Sequence, residues 1–178
     1  YEPKIFLTEE EKNEDWLGKY SNKKVIVLGV LGSTPQKSMP YEYVAEMVDF
    51  IASNYDVNIL FNYAPNQKEE AQKIYELCQN KSSIILDIYA KSIRDFVKLM
   101  NECALLVSNE GGTVHIAKAL NKPTFTIFSP YVNKDHWASF EDGKIHHSVH
   151  LLEMKPNLFD SFTFEERKKI EKNPDELY

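Results

Sequence analysis

The chain is short of cysteine: among 178 residues only Cys78 and Cys103 occur, far apart and with no C-x-x-C or Cys/His spacing. That excludes a thiol-built structural metal site. Each cysteine sits in a helix-like apolar pattern, so two buried free thiols of a cytosolic protein are expected rather than a disulfide. No apolar run approaches the roughly 20 residues that a membrane-spanning helix needs, and no signal-peptide pattern opens the sequence. Positive charge is also in deficit, with 21 Lys and Arg against 27 Asp and Glu, a net charge of −6 and a pI near 5.4. General nucleic-acid binding, which neutralises phosphates with excess Lys and Arg, is therefore not expected, nor is a polybasic membrane clamp. Internal repeats and low-complexity tracts are missing as well. The first residue is Tyr1 rather than Met, which reads as a processed product or an excised piece.

What is present suffices for a packed core. Hydrophobic residues make up 43% of the chain and aromatic ones 12%, in a length typical of one domain. Runs rich in Val, Ile, Leu and Phe at 24–30, 57–63, 84–89, 105–108 and 124–129, with a weak one at 149–152, predict strands. The first four are each followed by an amphipathic helical pattern, at 41–54, 67–79, 93–103 and 113–120. Capping-box pairs predict helix starts at Thr8 with Glu11, Ser92 with Asp95, and Thr163 with Glu166. The strands are apolar on both faces, as in a parallel sheet covered by helices on both sides. The prediction is an α/β, doubly wound, Rossmann-like domain over residues 1–160, with a polar helical tail over 161–178.

In such a sheet ligands bind at the carboxyl ends of the strands, and two loops there carry chemistry. The first runs from Gly29 to Pro40. Its small residues admit close backbone approach, Ser33 and Thr34 offer hydroxyls and Lys37 a mobile cation, a set that suits phosphate oxygens. It is not a P-loop, because Gln36 stands where Gly would precede the lysine. The second loop, Ser108-Asn109-Glu110-Gly111-Gly112, ends a strand and opens a helix at Thr113. Amides at a helix start make an anion site worth about 0.3–2 kcal/mol per favourable charge. Glu110 would repel phosphate there unless it turns to sugar hydroxyls. His115 faces the same way as Ala119, where a core histidine is the ordinary alternative. His136, His146, His147 and His150 invite a zinc site, but a strand between the last of them would separate the side chains, and no metal is expected. Tyr131 or Trp137, after the fifth strand, could pack on a base or sugar ring or cover the sheet edge.

The segment from Ser108 to Pro123 resembles the signature of glycosyltransferase family 9, the ADP-heptose:lipopolysaccharide heptosyltransferases, whose usual form is S-N-D-T-G-P-x-H-x-A-x-A-x-x-x-P. Here Glu110 replaces the family's Asp, Gly111 its Thr and Thr113 its Pro. The resemblance covers roughly residues 24–131. It implies the C-terminal, donor-binding half of a two-domain GT-B enzyme that transfers a heptose-like sugar from an ADP-sugar to a lipopolysaccharide core acceptor without a metal. Carried onto this chain, it implies that Lys37 and Glu110 act at the reacting centre. Ser33, Thr34 and Lys37 would meet the donor diphosphate, and so would the backbone of Gly111, Gly112 and Thr113. Glu110 would reach a sugar hydroxyl, His115 would belong to the binding set, and Gln67 or Glu69 would meet the ribose. No cofactor is implied beyond the nucleotide-sugar donor. The lipid-linked or lipopolysaccharide acceptor and the general base would belong to an N-terminal domain, and peripheral association with the cytoplasmic membrane face would follow for the full-length protein. Two alternatives stay open: a stand-alone nucleotide-sugar-binding module without transferase activity, and a ligand-free interaction domain whose two loops diverge in space.

Overall fold

A computed structural model describes residues 3–130, 132–173 and 178. Its centre is a parallel sheet of six strands: β1 Lys24–Gly29, β2 Val57–Asn62, β3 Ile84–Ile85, β4 Leu105–Asn109, β5 Thr124–Phe128 and β6 His146–His150. The helices are α1 Glu9–Lys12, α2 Tyr41–Asn54, α3 Lys68–Leu77, α4 Ile93–Glu102, α5 Gly112–Ala119, α6 Lys134–Trp137, α7 Leu151–Met154 and α8 Phe164–Ile170. The strand order is β3-β2-β1-β4-β5-β6, and every pairing is parallel.

Parallel strands need crossover helices, and these cover the two faces. On one side Ile26, Leu28, Ile59 and Phe61 pack against Val44, Val48 and Ile74 of α2 and α3. On the other, Val25, Val27, Leu60 and Leu106 pack against Phe96, Met100, Val114 and Ala117 of α4 and α5. Cys78 and Cys103 are free, buried thiols, pushed up to about 11 and about 12 by burial, so neither ionises near neutral pH. The capping boxes at Thr8 and Thr163 form in full, while Ser92 caps α4 by accepting from the Asp95 amide.

Several boundaries differ from the sequence-based expectation, most of them by one or two residues. Strand β3 keeps only two residues of the run at 84–89 and ends at an edge. Strand β6 lies at His146–His150, not 149–152, and residues 151–154 are helical instead. Its polar sequence is accommodated by hydrogen bonds: His146 Nδ1 meets Thr124 Oγ1 at 3.1 Å and His150 Nε2 meets the Val132 carbonyl at 3.0 Å. Helix α5 begins at Gly112, one residue before Thr113. In the tail, α8 spans Phe164–Ile170, and residues 174–177 lie outside the described residues.

Candidate functional site

The strand order reverses between β1 and β4, so the loops after these two strands flank the switch-point crevice where open α/β sheets take ligands. Both chemistry-bearing loops of the sequence are the ones that stand there. Their approach begins in the strands, where Gly29 pairs with Ser108. A Cβ on Gly29 would lie 2.2 Å from Ser108 Oγ, so glycine lets the ends of β1 and β4 draw together.

The loop after β1 is a closed turn. Gly32 N donates to Ser38 Oγ at 2.9 Å, and Ser38 Oγ donates onward to the Thr34 carbonyl at 3.0 Å. Lys37 N also bonds Thr34 O at 3.0 Å. Gln67 locks the turn from the neighbouring strand end, donating through Nε2 to Gly32 O at 2.7 Å while its Oε1 accepts from Ala64 N at 2.9 Å. With these backbone groups satisfied internally, Ser33 and Thr34 stand exposed. They line a cleft of about 500 Å³ that also takes in Tyr41, Asn66, Gln67 and Glu70. Gln67 is thus in the cleft but bonded to its loop. Glu69 is exposed and does not line the cleft, where Glu70 stands instead.

The loop after β4 turns into α5 through Gly111, whose backbone is extended (φ 162°, ψ −176°) and which provides no side-chain cap. The opening amides of a helix have no intrahelical partner, so those of Gly112 and Thr113 stand at the crevice with the positive end of the helix dipole behind them. A Cβ on Gly111 or Gly112 would meet nothing within 4 Å. His115, half-buried on α5, is held below its ordinary pKa by burial, with the Lys118 ammonium adding to it, and is mostly neutral at pH 7.

The two loops meet through one ion pair. Lys37 Nζ lies 3.4 Å from Glu110 Oε1 and 5.5 Å from the centre of the Trp137 ring. The Glu110 side chain is only 3% exposed against 25% for Lys37. Neither Glu110 carboxylate oxygen has a well-formed hydrogen bond, and Asn109 Oδ1 at the end of β4 and Ser129 Oγ just after β5 are buried and unpartnered too. Burial raises the Glu110 pKa, opposed by its own backbone amide, by Lys37 and by the Ser129 amide. A carboxylate that protonates more readily folded than unfolded costs stability once pH exceeds both pKa values, and nothing when pH lies below both. Glu110→Gln is therefore expected to raise the melting temperature at pH 7 and to leave it unchanged below about pH 4, the usual carboxylate range. A scan showing equal gains at both pH values would contradict this.

Three of the four histidines that invited a metal have other partners. His150 accepts from Leu152 N at Nδ1, so its Nε2 donates to Val132 O, and His147 Nε2 bonds Lys144 O. Among the described residues no group of three or more His, Cys, Asp or Glu side chains is placed to hold a metal ion. Nor is any described helix long and apolar enough to cross a membrane. Sequence reasoning missed Ser38, which closes the turn, and Asn109, whose Nδ2 donates to the Ile127 carbonyl at 3.4 Å and to Tyr178 Oη at 3.2 Å. Only the serine six residues after Gly32 hinted at a closed turn. Tyr131 lies outside the described residues, whereas Trp137 stands over Lys37, half-exposed.

A second cavity, of about 570 Å³, lies at the opposite end of the sheet between the N-terminal segment and the C-terminal end of α5. It is lined by Phe6, Leu120, Asn121, Phe140 and Ile145.

Solved structures share this fold. The glycosyl transferase family 9 from Veillonella parvula DSM 2008 superposes with a TM-score of 0.68 at 18% identity, over 91% of this chain and 47% of that one. E. coli ADP-heptose lps heptosyltransferase II gives 0.66 at 19% identity, over 83% and 45%. E. coli heptosyltransferase WaaC, solved with ADP-2-deoxy-2-fluoro heptose, gives 0.56 at 18% identity, over 72% and 37%. The chain thus spans about half the length, or less, of these three structures. A search among curated proteins finds no match. The sequence model of one family covers residues 2–160, and by that match the chain belongs to glycosyltransferase family 9 (heptosyltransferase).

Proposed function

We propose that the chain is the donor-binding half of a family 9 glycosyltransferase and holds a nucleoside diphosphate sugar in the crevice between β1 and β4. The observation that carries this is the meeting of the two loops through Lys37 and Glu110 at the switch point. Lys37 offsets the charge that builds on the leaving diphosphate as the glycosidic bond breaks. The exposed hydroxyls of Ser33 and Thr34 donate to the same group from one side, and the amides of Gly111, Gly112 and Thr113 from the other. Glu110 accepts from a hydroxyl of the sugar once the arriving diphosphate draws Lys37 off its buried carboxylate, and His115 on α5 belongs to the binding set. Gln67 and Glu70, which line the same cleft, flank the ribose, the place the resemblance gave to Gln67 or Glu69. The donor is an ADP-sugar of the heptose type, the acceptor a lipopolysaccharide core, and transfer proceeds without a metal at the cytoplasmic face of the membrane. The heptose-type donor and the lipopolysaccharide acceptor are supported by the family match and by two E. coli relatives, an ADP-heptose lps heptosyltransferase II and a heptosyltransferase WaaC solved with ADP-2-deoxy-2-fluoro heptose. Metal-free transfer and the membrane face are carried over from the family resemblance alone.

Deprotonation of the acceptor hydroxyl needs a base within hydrogen-bond reach, which this reading assigns to an N-terminal domain across the cleft. The 178-residue chain is therefore expected to bind donor without transferring sugar. Affinity in an open crevice is expected at micromolar to millimolar Kd, about −8 to −4 kcal/mol. A thermal-shift panel of ADP, UDP and GDP with their sugars checks binding, since ligand at about 100 times Kd adds about 2.7 kcal/mol of stability. Turnover is assayed with ADP-heptose and a lipid A–Kdo acceptor. No stabilisation by any member of the panel would end the donor-site reading, and turnover by the chain alone would place the base within it.

A further inference from the structure

We infer that Trp137 is a positioning residue of this site: its indole face and the Glu110 carboxylate together hold the Lys37 ammonium over the crevice before a diphosphate arrives. The inference rests on the donor-site reading above and adds to it a residue that acts through Lys37.

A lysine ammonium on a flexible four-carbon stem samples many rotamers, and each immobilised side chain of this kind subtracts from binding when the ligand must do the ordering. Here the ordering is built in. The ammonium lies 5.5 Å from the Trp137 ring centre, inside cation–π range, and 3.4 Å from Glu110 Oε1. The Lys37 side chain is mostly covered, at 25% exposure, although it stands between β1 and α2.

Trp137 could not do this from a loose segment, and α6, four residues long, does not stabilise itself. Four bonds around it fix it instead. Upstream, the His150 ring donates to the Val132 carbonyl at 3.0 Å. At the start of α6, Asn133 Oδ1 accepts from Asp135 N at 3.0 Å and Lys134 Nζ pairs with Glu153 Oε1 at 2.6 Å. Downstream, Lys118 Nζ donates to the Ser139 carbonyl at 2.8 Å, two residues after the tryptophan. The Lys118 side chain is 2% exposed, with Glu141 Oε1 as its counter-charge at 3.4 Å. A buried ammonium is tolerated when it is paired and hydrogen-bonded, as Lys118 is by Glu141 and the Ser139 carbonyl, and these bonds hold the loop to α5. Lys118 thereby joins two parts of the site, since α5, which opens the crevice at Gly112, also anchors the loop that carries Trp137.

The test uses inorganic pyrophosphate, which has no ring for Trp137 to stack on, and ADP, followed by NMR titration of the 178-residue chain. Trp137→Ala is expected to weaken pyrophosphate binding about two- to fivefold, the size of an exposed cation–π contact. Trp137→Phe should restore most of it. In a Lys37→Ala background Trp137→Ala should cost nothing further, because the interaction it removes is already gone. An equal cost in both backgrounds, or a loss for ADP with none for pyrophosphate, would mean that Trp137 touches the ligand directly and would overturn the inference. A ligand-free measurement separates this from failure of the donor-site reading. In a Trp16→Phe chain, which leaves Trp137 as the lone indole, Lys37→Met should shift the emission spectrum. An unchanged spectrum overturns the positioning of Lys37 by Trp137 whether or not any nucleotide binds. Conversely, a shifted spectrum with no pyrophosphate or ADP binding sinks the donor-site reading and, with it, the role assigned to the held cation.

Discussion

Replacing Lys37 with Ala should lower nucleoside diphosphate affinity about ten- to hundredfold, the worth of a charge-assisted hydrogen bond of about 1.5–3 kcal/mol. Stability should change far less, and in a direction that the surroundings fix. Lys37 is the charge partner of Glu110, whose carboxylate is nearly inaccessible and lacks well-formed hydrogen bonds. Removing the ammonium leaves that carboxylate uncompensated, so its pKa should climb further and some stability should be lost at pH 7, with none lost where Glu110 is protonated. Pairing the substitution with Glu110→Gln should return the stability without returning the affinity. Calorimetric titration and thermal melts of the three variants read both effects. Equal diphosphate affinity in Lys37→Ala would remove Lys37 from the site.

Glycine substitutions should split binding from folding in opposite ways at the two loops. At Gly32 an added Cβ would lie 2.2 Å from the Lys37 carbonyl oxygen and 2.5 Å from its carbon. Backbone cannot rotate out of the way as a side-chain tip can, so Gly32→Ala must open the turn held by Ser38 and Gln67. Overpacking of this kind costs about 1–3 kcal/mol, or roughly 2–10 °C in a domain of this size, and binding should be lost with it because Lys37 is displaced. Gly112 is the reverse case. A side chain there meets no protein atom, and glycine is the poorer helix former, so Gly112→Val should leave the melting temperature within about a degree. It should still block the approach to the opening amides of α5 and lower diphosphate affinity at least tenfold, as the loss of about 1.4 kcal/mol or more. Normal binding by Gly112→Val would show that the anion does not rest on this helix start. An unchanged melting temperature for Gly32→Ala would contradict the closed turn.

Most of the sheet was legible because a parallel strand covered on both faces writes itself as an unbroken apolar run, as Val25 to Leu28 and Ile59 to Phe61 do. The two loops were legible for a related reason: a switch-point crevice lies where such runs end, and both runs end in glycine, serine or threonine. Strand β6 was placed too late because His-His-Ser-Val-His carries little apolar signal, and its polar side chains are satisfied only by partners such as Thr124 and Val132 that the fold brings to it. Gln67 was noticed for a ribose, yet its amide spans the gap to Gly32, a contact across two strand ends that no local pattern reports. The same holds for the Lys37–Glu110 pair and for Lys118, whose burial contradicts its residue type until Ser139 and Glu141 are seen beside it.

The most direct measurement is chemical-shift mapping of the 178-residue chain, labelled with nitrogen-15 and titrated with ADP, UDP and GDP. It sets two ends of one sheet against each other. The switch-point crevice predicts that the amides of Ser33, Thr34, Lys37, Gly111, Gly112 and Thr113 move together and saturate at one dissociation constant. Shifts confined to Leu120, Asn121, Phe140 and Ile145 would place the nucleotide in the larger cavity at the far end and contradict the account.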